Sequence, residues 1–123
     1  KIKNITKKCP IMFRAPYGDY NNSLINVIDF LKMYCVQWNI DSMDWKNRSC
    51  EQMTKKIVSK LTPGSIILLH NGAKYTPEAL PLIIEKIQKE NFKIVPISQI
   101  IYKKNYQIIY DGTQMPLETV PSI

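Results

Sequence analysis

Histidine occurs once in these 123 residues, at His70, so a metal site built from several imidazoles cannot form within the chain. Cysteine occurs three times, at Cys9, Cys35 and Cys50, an odd count with no C-x-x-C spacing. Neither a zinc ribbon nor a complete disulfide framework follows, and buried or free thiols are the plain reading. No run reaches the roughly 18 consecutive apolar residues of a membrane-spanning helix, and no charged-then-apolar signal segment opens the chain. The first residue is Lys1 rather than methionine, as expected of a sequence that begins after processing or inside a longer chain.

Apolar residues make up 45% of the sequence, enough for one domain with a core, while the length is too short for two. The net charge of +7 comes mostly from lysines scattered along the chain, with small groups at Lys7-Lys8, Lys55-Lys56 and Lys103-Lys104. Such scatter reads as a solvated surface, with attraction to a polyanion as the alternative.

Residues 11–13 form a short apolar run that Pro16-Tyr17-Gly18 breaks, a strand followed by a loop. Asn21 and Asn22 are helix caps, and Leu24, Val27, Ile28 and Leu31 repeat as one apolar stripe. The cycle recurs with a strand over residues 35–40, a loop over 41–45, and a helix capped by Ser49 whose inward face is Met53, Ile57 and Leu61. Pro63-Gly64 stops that helix before residues 65–69, a continuous apolar run typical of a strand buried on both faces. A third helix starts near Thr76-Pro77, a cap followed by a proline suited to the first turn, and buries Leu80, Ile83, Ile84 and Ile87. Pro81 should distort its start. Residues 93–96 read as a fourth strand and 98–101 as a helical turn. The tail from Tyr106 carries only a turn signal, at Asp111-Gly112. Strands alternating with helices predict successive βα units, hence an α/β fold with a parallel sheet.

Arg14, the segment 41–45 and His70 each follow the carboxyl end of a strand, the edge where sites assemble in parallel α/β folds. His70 ends an apolar strand and precedes Asn71-Gly72, a turn that leaves the ring at a rim. A carboxylate nearby, Asp41 or Asp44, favours a charged imidazole and the chemistry of a general acid, although a lone histidine is also often structural. Arg14 reads either as a rim ion pair with Asp41 or as a fixed charge orienting a catalytic carboxylate. Tyr17 and Gly18 sit where a proline-stiffened turn can aim a backbone N–H at a developing oxyanion. Trp45 is either core filler or the flat wall of a sugar or acyl pocket.

In that order, Phe13-Arg14-Ala15-Pro16-Tyr17-Gly18, Asp41-Ser42-Met43-Asp44-Trp45 and Leu68-Leu69-His70 resemble the third, fourth and fifth motifs of the NodB-homology polysaccharide deacetylases, carbohydrate esterase family 4. The resemblance runs over residues 5–101, and Glu78-Ala79-Leu80-Pro81 with Pro96-Ile97-Ser98 looks most like the family's sporulation-associated bacterial branch. It implies a distorted (β/α) barrel that removes the N-acetyl group from an amino sugar in peptidoglycan or a chitin-like polymer, with a metal-bound water. By resemblance, Arg14 orients the catalytic aspartate, the N–H of Tyr17 holds the oxyanion, His70 protonates the leaving amine and Asp44 partners His70. Trp45 and Leu68 line the acetyl pocket, with Pro16 on the substrate side.

The family's first two motifs, which hold the base aspartate and the metal ligands, have no counterpart here. The implied divalent metal, such as Zn2+, would therefore be held outside this chain. Residues 1–102 are expected to be the C-terminal part of the catalytic domain and residues 103–123 a tail. Half a parallel barrel leaves an unpaired strand edge and an uncovered apolar face, so the N-terminal half is expected on another segment. The substrate class implies a secreted or envelope-associated protein. A non-catalytic carbohydrate-binding remnant is the alternative. A basic nucleic-acid-binding module is disfavoured by unclustered lysines and the lack of an aromatic stacking platform.

Overall fold

The computed structural model of the chain describes residues 1–117. They fall into two compact units, Lys1–Gln37 and the part from Trp38 onward. In the first unit, α1 (Ile2–Thr6) precedes β1 (Met12–Phe13), α2 (Asn22–Phe30) and β2 (Tyr34–Cys35). β1 and β2 pair in parallel, Met12 beside Tyr34 and Phe13 beside Cys35, with α2 as the crossover. The side chain of Asn21 accepts the N–H of Leu24 at 2.9 Å, the cap expected from the sequence. Of the expected apolar stripe, Ile28 is buried and Leu24 half-buried, whereas Val27 and Leu31 are more than half exposed. Periodicity identifies a stripe; which part of it is covered depends on what packs there.

The second unit contains β3 (Ile40–Asp41), α3 (Cys50–Val58), β4 (Ile67–Leu68), α4 (Thr76–Lys89), β5 (Tyr106–Ile108) and β6 (Gln114–Pro116). β3 and β4 pair in parallel, Ile40 beside Ile67 and Asp41 beside Leu68. Ser49 and Gln52 close a capping box at the start of α3. Helices α3 and α4 bury Met53, Ile57, Ala79, Ile83 and Ile87 together with Ile40 in one core. No helix among the described residues is long and apolar enough to cross a membrane.

Several expectations are corrected. The strand expected over residues 35–40 is broken, its start pairing with β1 and its end with β4. The break falls where Asn39 Oδ1 accepts the N–H of Ile66 at 2.7 Å, a side chain standing in for a ladder bond. Of residues 65–69, only Leu68 is buried. Residues 93–96 form no strand: Pro96, without an N–H, is instead the N-cap of a 3-10 turn at Ile97–Gln99. In α4 the inward residues are Ala79, Ile83 and Ile87, and Leu80 and Ile84 are exposed. Pro81 lies inside a continuous α4. It is exposed, and the core contacts of Ala79, Ile83 and Ile87 carry the helix past its missing N–H. Asp111-Gly112 does mark a turn, in the antiparallel hairpin of β5 and β6.

Candidate functional site

The parallel pairing of β3 with β4 ends both strands side by side, and the N–H of Ser42 donates to the carbonyl of Leu68 at 3.2 Å. The chain after β3 must then turn sharply. Asp41 Oδ1 accepts the N–H of Met43 at 2.8 Å, an Asx turn that starts the loop. A 3-10 turn, Asp44–Lys46, follows, bracketed by Met43 and Asn47 in the left-handed region at φ 54° and 51°. Asparagine tolerates that conformation; methionine does so at a cost of roughly 1–3 kcal/mol. The strained loop carries Asp44 inward, to 1% exposure.

There the carboxylate is clasped on both oxygens. Oδ1 meets His70 Nδ1 at 2.7 Å and accepts the N–H of Trp45 at 3.1 Å. Oδ2 accepts the N–H of His70 and the hydroxyl of Thr76, each at 2.7 Å. Burial by itself would push this carboxyl up. The hydrogen bonds from the His70 N–H, the Thr76 hydroxyl, the His70 ring and Ser42 outweigh it and hold Asp44 at about 2. Asp44 is therefore ionised near neutrality, so Oδ1 accepts and Nδ1 of His70 donates. Nε2 remains as the ring atom that can exchange a proton, on a side chain 42% exposed.

Trp45 is 57% exposed, which removes the core-filling reading, and the Lys46 ammonium lies 4.9 Å from its ring centroid. Leu68 is buried in β4. Arg14, Pro16 and Tyr17 belong to the first unit, immediately after β1. Tyr17 is left-handed at φ 58° within a 3-10 turn, Pro16–Gly18, and its side chain is fully exposed. The N–H groups of Gly18 and Asp19 are tied back to the carbonyls of Ala15 and Pro16; that of Tyr17 takes no part in these bonds. Gln37 Nε2 braces the turn through the Gly18 carbonyl at 2.9 Å.

Sequence reasoning paired Asp44 with His70 but missed Thr76, which it read as a helix cap. The N-cap of α4 is Tyr75, which makes no side-chain cap bond, and the Thr76 hydroxyl goes to Asp44 instead. Proximity in the fold, with no signal in the local sequence, sets that choice. The divalent metal implied by the resemblance does not fit the residues present. Among the described residues no group of three or more His, Cys, Asp or Glu is placed to hold a metal ion, and the sole imidazole is committed through Nδ1 to a buried carboxylate.

No protein-family model matches the sequence. Among curated proteins, the peptidoglycan-N-acetylglucosamine deacetylase PgdA of Listeria monocytogenes is 31% identical over 99 residues, 80% of this chain and 20% of that protein. The chitooligosaccharide deacetylase of Azorhizobium caulinodans is 30% identical, over 69% of this chain and 47% of that protein. The chain thus spans less than half the length of either relative. Among solved structures, BA3943 of Bacillus anthracis, described as a family 4 carbohydrate esterase pseudoenzyme, matches with TM-score 0.75 and 26% identity over 80% of this chain and 35% of that one. A mutant of the same protein, described as having restored enzymatic activity, matches with TM-score 0.76.

Proposed function

The chain belongs, over about four-fifths of its length, to the polysaccharide deacetylases of carbohydrate esterase family 4, and from that premise we propose that it supplies the proton-donor side of an N-deacetylase. The substrate class is a polymer containing N-acetylglucosamine, peptidoglycan or a chitin-like oligosaccharide, which places the protein outside the cytoplasm or in the envelope. The observation that carries this reading is the 2.7 Å contact between His70 Nδ1 and the buried Asp44 carboxylate, with Nε2 left to act.

Hydrolysis of an N-acetyl group passes through a tetrahedral intermediate whose nitrogen is a poor leaving group until it is protonated. In the collapse of that intermediate the C–N bond breaks, its electron pair goes to nitrogen, and nitrogen takes the proton from His70 Nε2. The amine and acetate are the products. Asp44 holds the ring through Nδ1 and stabilises the imidazolium before transfer. The Tyr17 N–H, held in a left-handed turn, is the oxyanion donor in this reading. Arg14 orients the carboxylate that serves as base, and Trp45, Leu68 and Pro16 bound the acetyl pocket. Addition of water belongs to groups outside the described residues, on the segment that completes the barrel.

The test is acetate release from peptidoglycan and from N-acetylglucosamine oligomers by the full-length protein. His70→Ala should lower turnover by about 10²- to 10⁴-fold, and wild-type turnover in that variant would remove His70 from the donor role. The pseudoenzyme neighbour favours a second reading, a non-catalytic carbohydrate-binding remnant. Binding of the oligomers by the wild-type protein with no acetate release would select it.

A further inference from the structure

We propose that Thr76 is a positioning residue for the Asp44–His70 pair, its hydroxyl fixing Oδ2 of Asp44 so that Oδ1 stays aimed at the His70 ring. The inference rests on the reading of His70 as proton donor, and it adds a residue from a different element. A carboxylate turns readily about its terminal torsion, because sp3–sp2 rotations are broad and roughly two-fold. Only the donors around it choose one orientation. Three of the four come from the loops after β3 and β4: the N–H of Trp45, the N–H of His70 and Nδ1 of His70. The fourth, the Thr76 hydroxyl, is the one mounted on a helix anchored in the core, since α4 packs through Ala79, Ile83 and Ile87.

The hydroxyl does no work for its own helix. Thr76 is the first helical residue rather than the N-cap, and α4 begins without a side-chain cap bond. Its β-branched side chain is stiff about χ1, so the oxygen is presented from a fixed direction. With that donor gone, Oδ2 keeps only the His70 N–H. The carboxylate can then rotate, and the bond to Nδ1 loses the direction that holds the ring.

The experiment compares Thr76→Val, which keeps the volume and removes the donor, with Thr76→Ser, which keeps the donor, in the full-length protein. Expected for Val is a fall in kcat of about tenfold with KM within about twofold, because the change acts on proton delivery rather than on substrate binding. Ser should stay within about threefold of wild type in kcat. In 15N-labelled protein the His70 Nδ1 proton, assigned by its absence in His70→Gln, should be visible in wild type and Ser and broadened by exchange in Val. A purely structural Thr76 would lower the unfolding midpoint of Val yet leave both kcat and the Nδ1 proton intact below it; that result overturns the proposal. Wild-type activity in His70→Gln would defeat the proton-donor reading instead, and the Nδ1 signal in Val against Ser would still decide whether Thr76 positions the pair.

Discussion

Replacing Asp44 with asparagine keeps the shape of the clasp and exchanges one acceptor for a donor. The carboxamide has two orientations. With its NH2 in the Oδ2 place it faces the His70 backbone N–H, which cannot become an acceptor, and the Thr76 hydroxyl, which can reverse. With its NH2 in the Oδ1 place it faces His70 Nδ1, which becomes an acceptor if the ring proton moves to Nε2, and the Trp45 N–H at the longer 3.1 Å. The second orientation sacrifices the weaker backbone bond, so Asp44→Asn should adopt it. One backbone N–H left without a partner costs about 1–3 kcal/mol, and the loss of charge-assisted bonds raises the total to roughly 2–4 kcal/mol. The ring is then locked in the opposite tautomer, without a carboxylate to stabilise its imidazolium. Turnover should therefore fall by about 10²- to 10⁴-fold in a protein that still folds. Urea unfolding reads the first quantity and acetate release the second. A variant within about 0.5 kcal/mol of wild type that retains its rate would show that the clasp neither stabilises the loop nor sets the tautomer.

The same carboxylate gives a dependence on acid. Its pKa in the folded chain is lowered to about 2 from 3.8, so its contribution is present above the unfolded value and is lost as pH falls through about 2. The stability gap between wild type and Asp44→Asn should narrow by about 2 kcal/mol between roughly pH 4 and pH 2, measured as urea midpoints; a constant gap would contradict the assignment. At the start of α3, Ser49→Ala removes the acceptor of the Gln52 N–H, at 3.2 Å, and should cost about 1 kcal/mol in thermal or urea unfolding. An unchanged midpoint would mean that the capping box is replaced by water without loss.

Features decided within a few residues were legible in the sequence. Asn21 and Ser49 cap the helices they precede because a cap is a bond to an N–H three residues away. The Asp44–His70 pair was legible for a different reason: two parallel strands finish together, so whatever follows them meets. Thr76 was misread because its hydroxyl has two suitable targets, its own helix start and a carboxylate 32 residues earlier in sequence, and only folding brings the second within 2.7 Å. The break after β2 was illegible for the same reason, since the side chain of Asn39 substitutes for strand pairing only once Ile66 lies opposite. Val27, Leu31, Leu80 and Ile84 continue helical stripes that are only partly covered, and a hydrophobic period carries no record of how wide its cover is.

Every donor to the Asp44 carboxylate comes from the stretch between residues 44 and 76, inside the second unit. The proton-donor side is thus assembled by one βαβ crossover and the helix that follows it, and needs no group from elsewhere to hold its geometry. A metal and base side, by contrast, requires several ligands that these residues do not provide. Two sides built from separate stretches of chain can be altered independently. A pseudoenzyme of this family whose mutant has restored activity agrees with that independence, because restoration by mutation requires the rest of the fold to have stayed in place. In this chain the clasp around Asp44 is such a conserved-by-packing element: its order follows from the α3–α4 core and the strained turn at Met43, whether or not the opposite side of the cleft is competent.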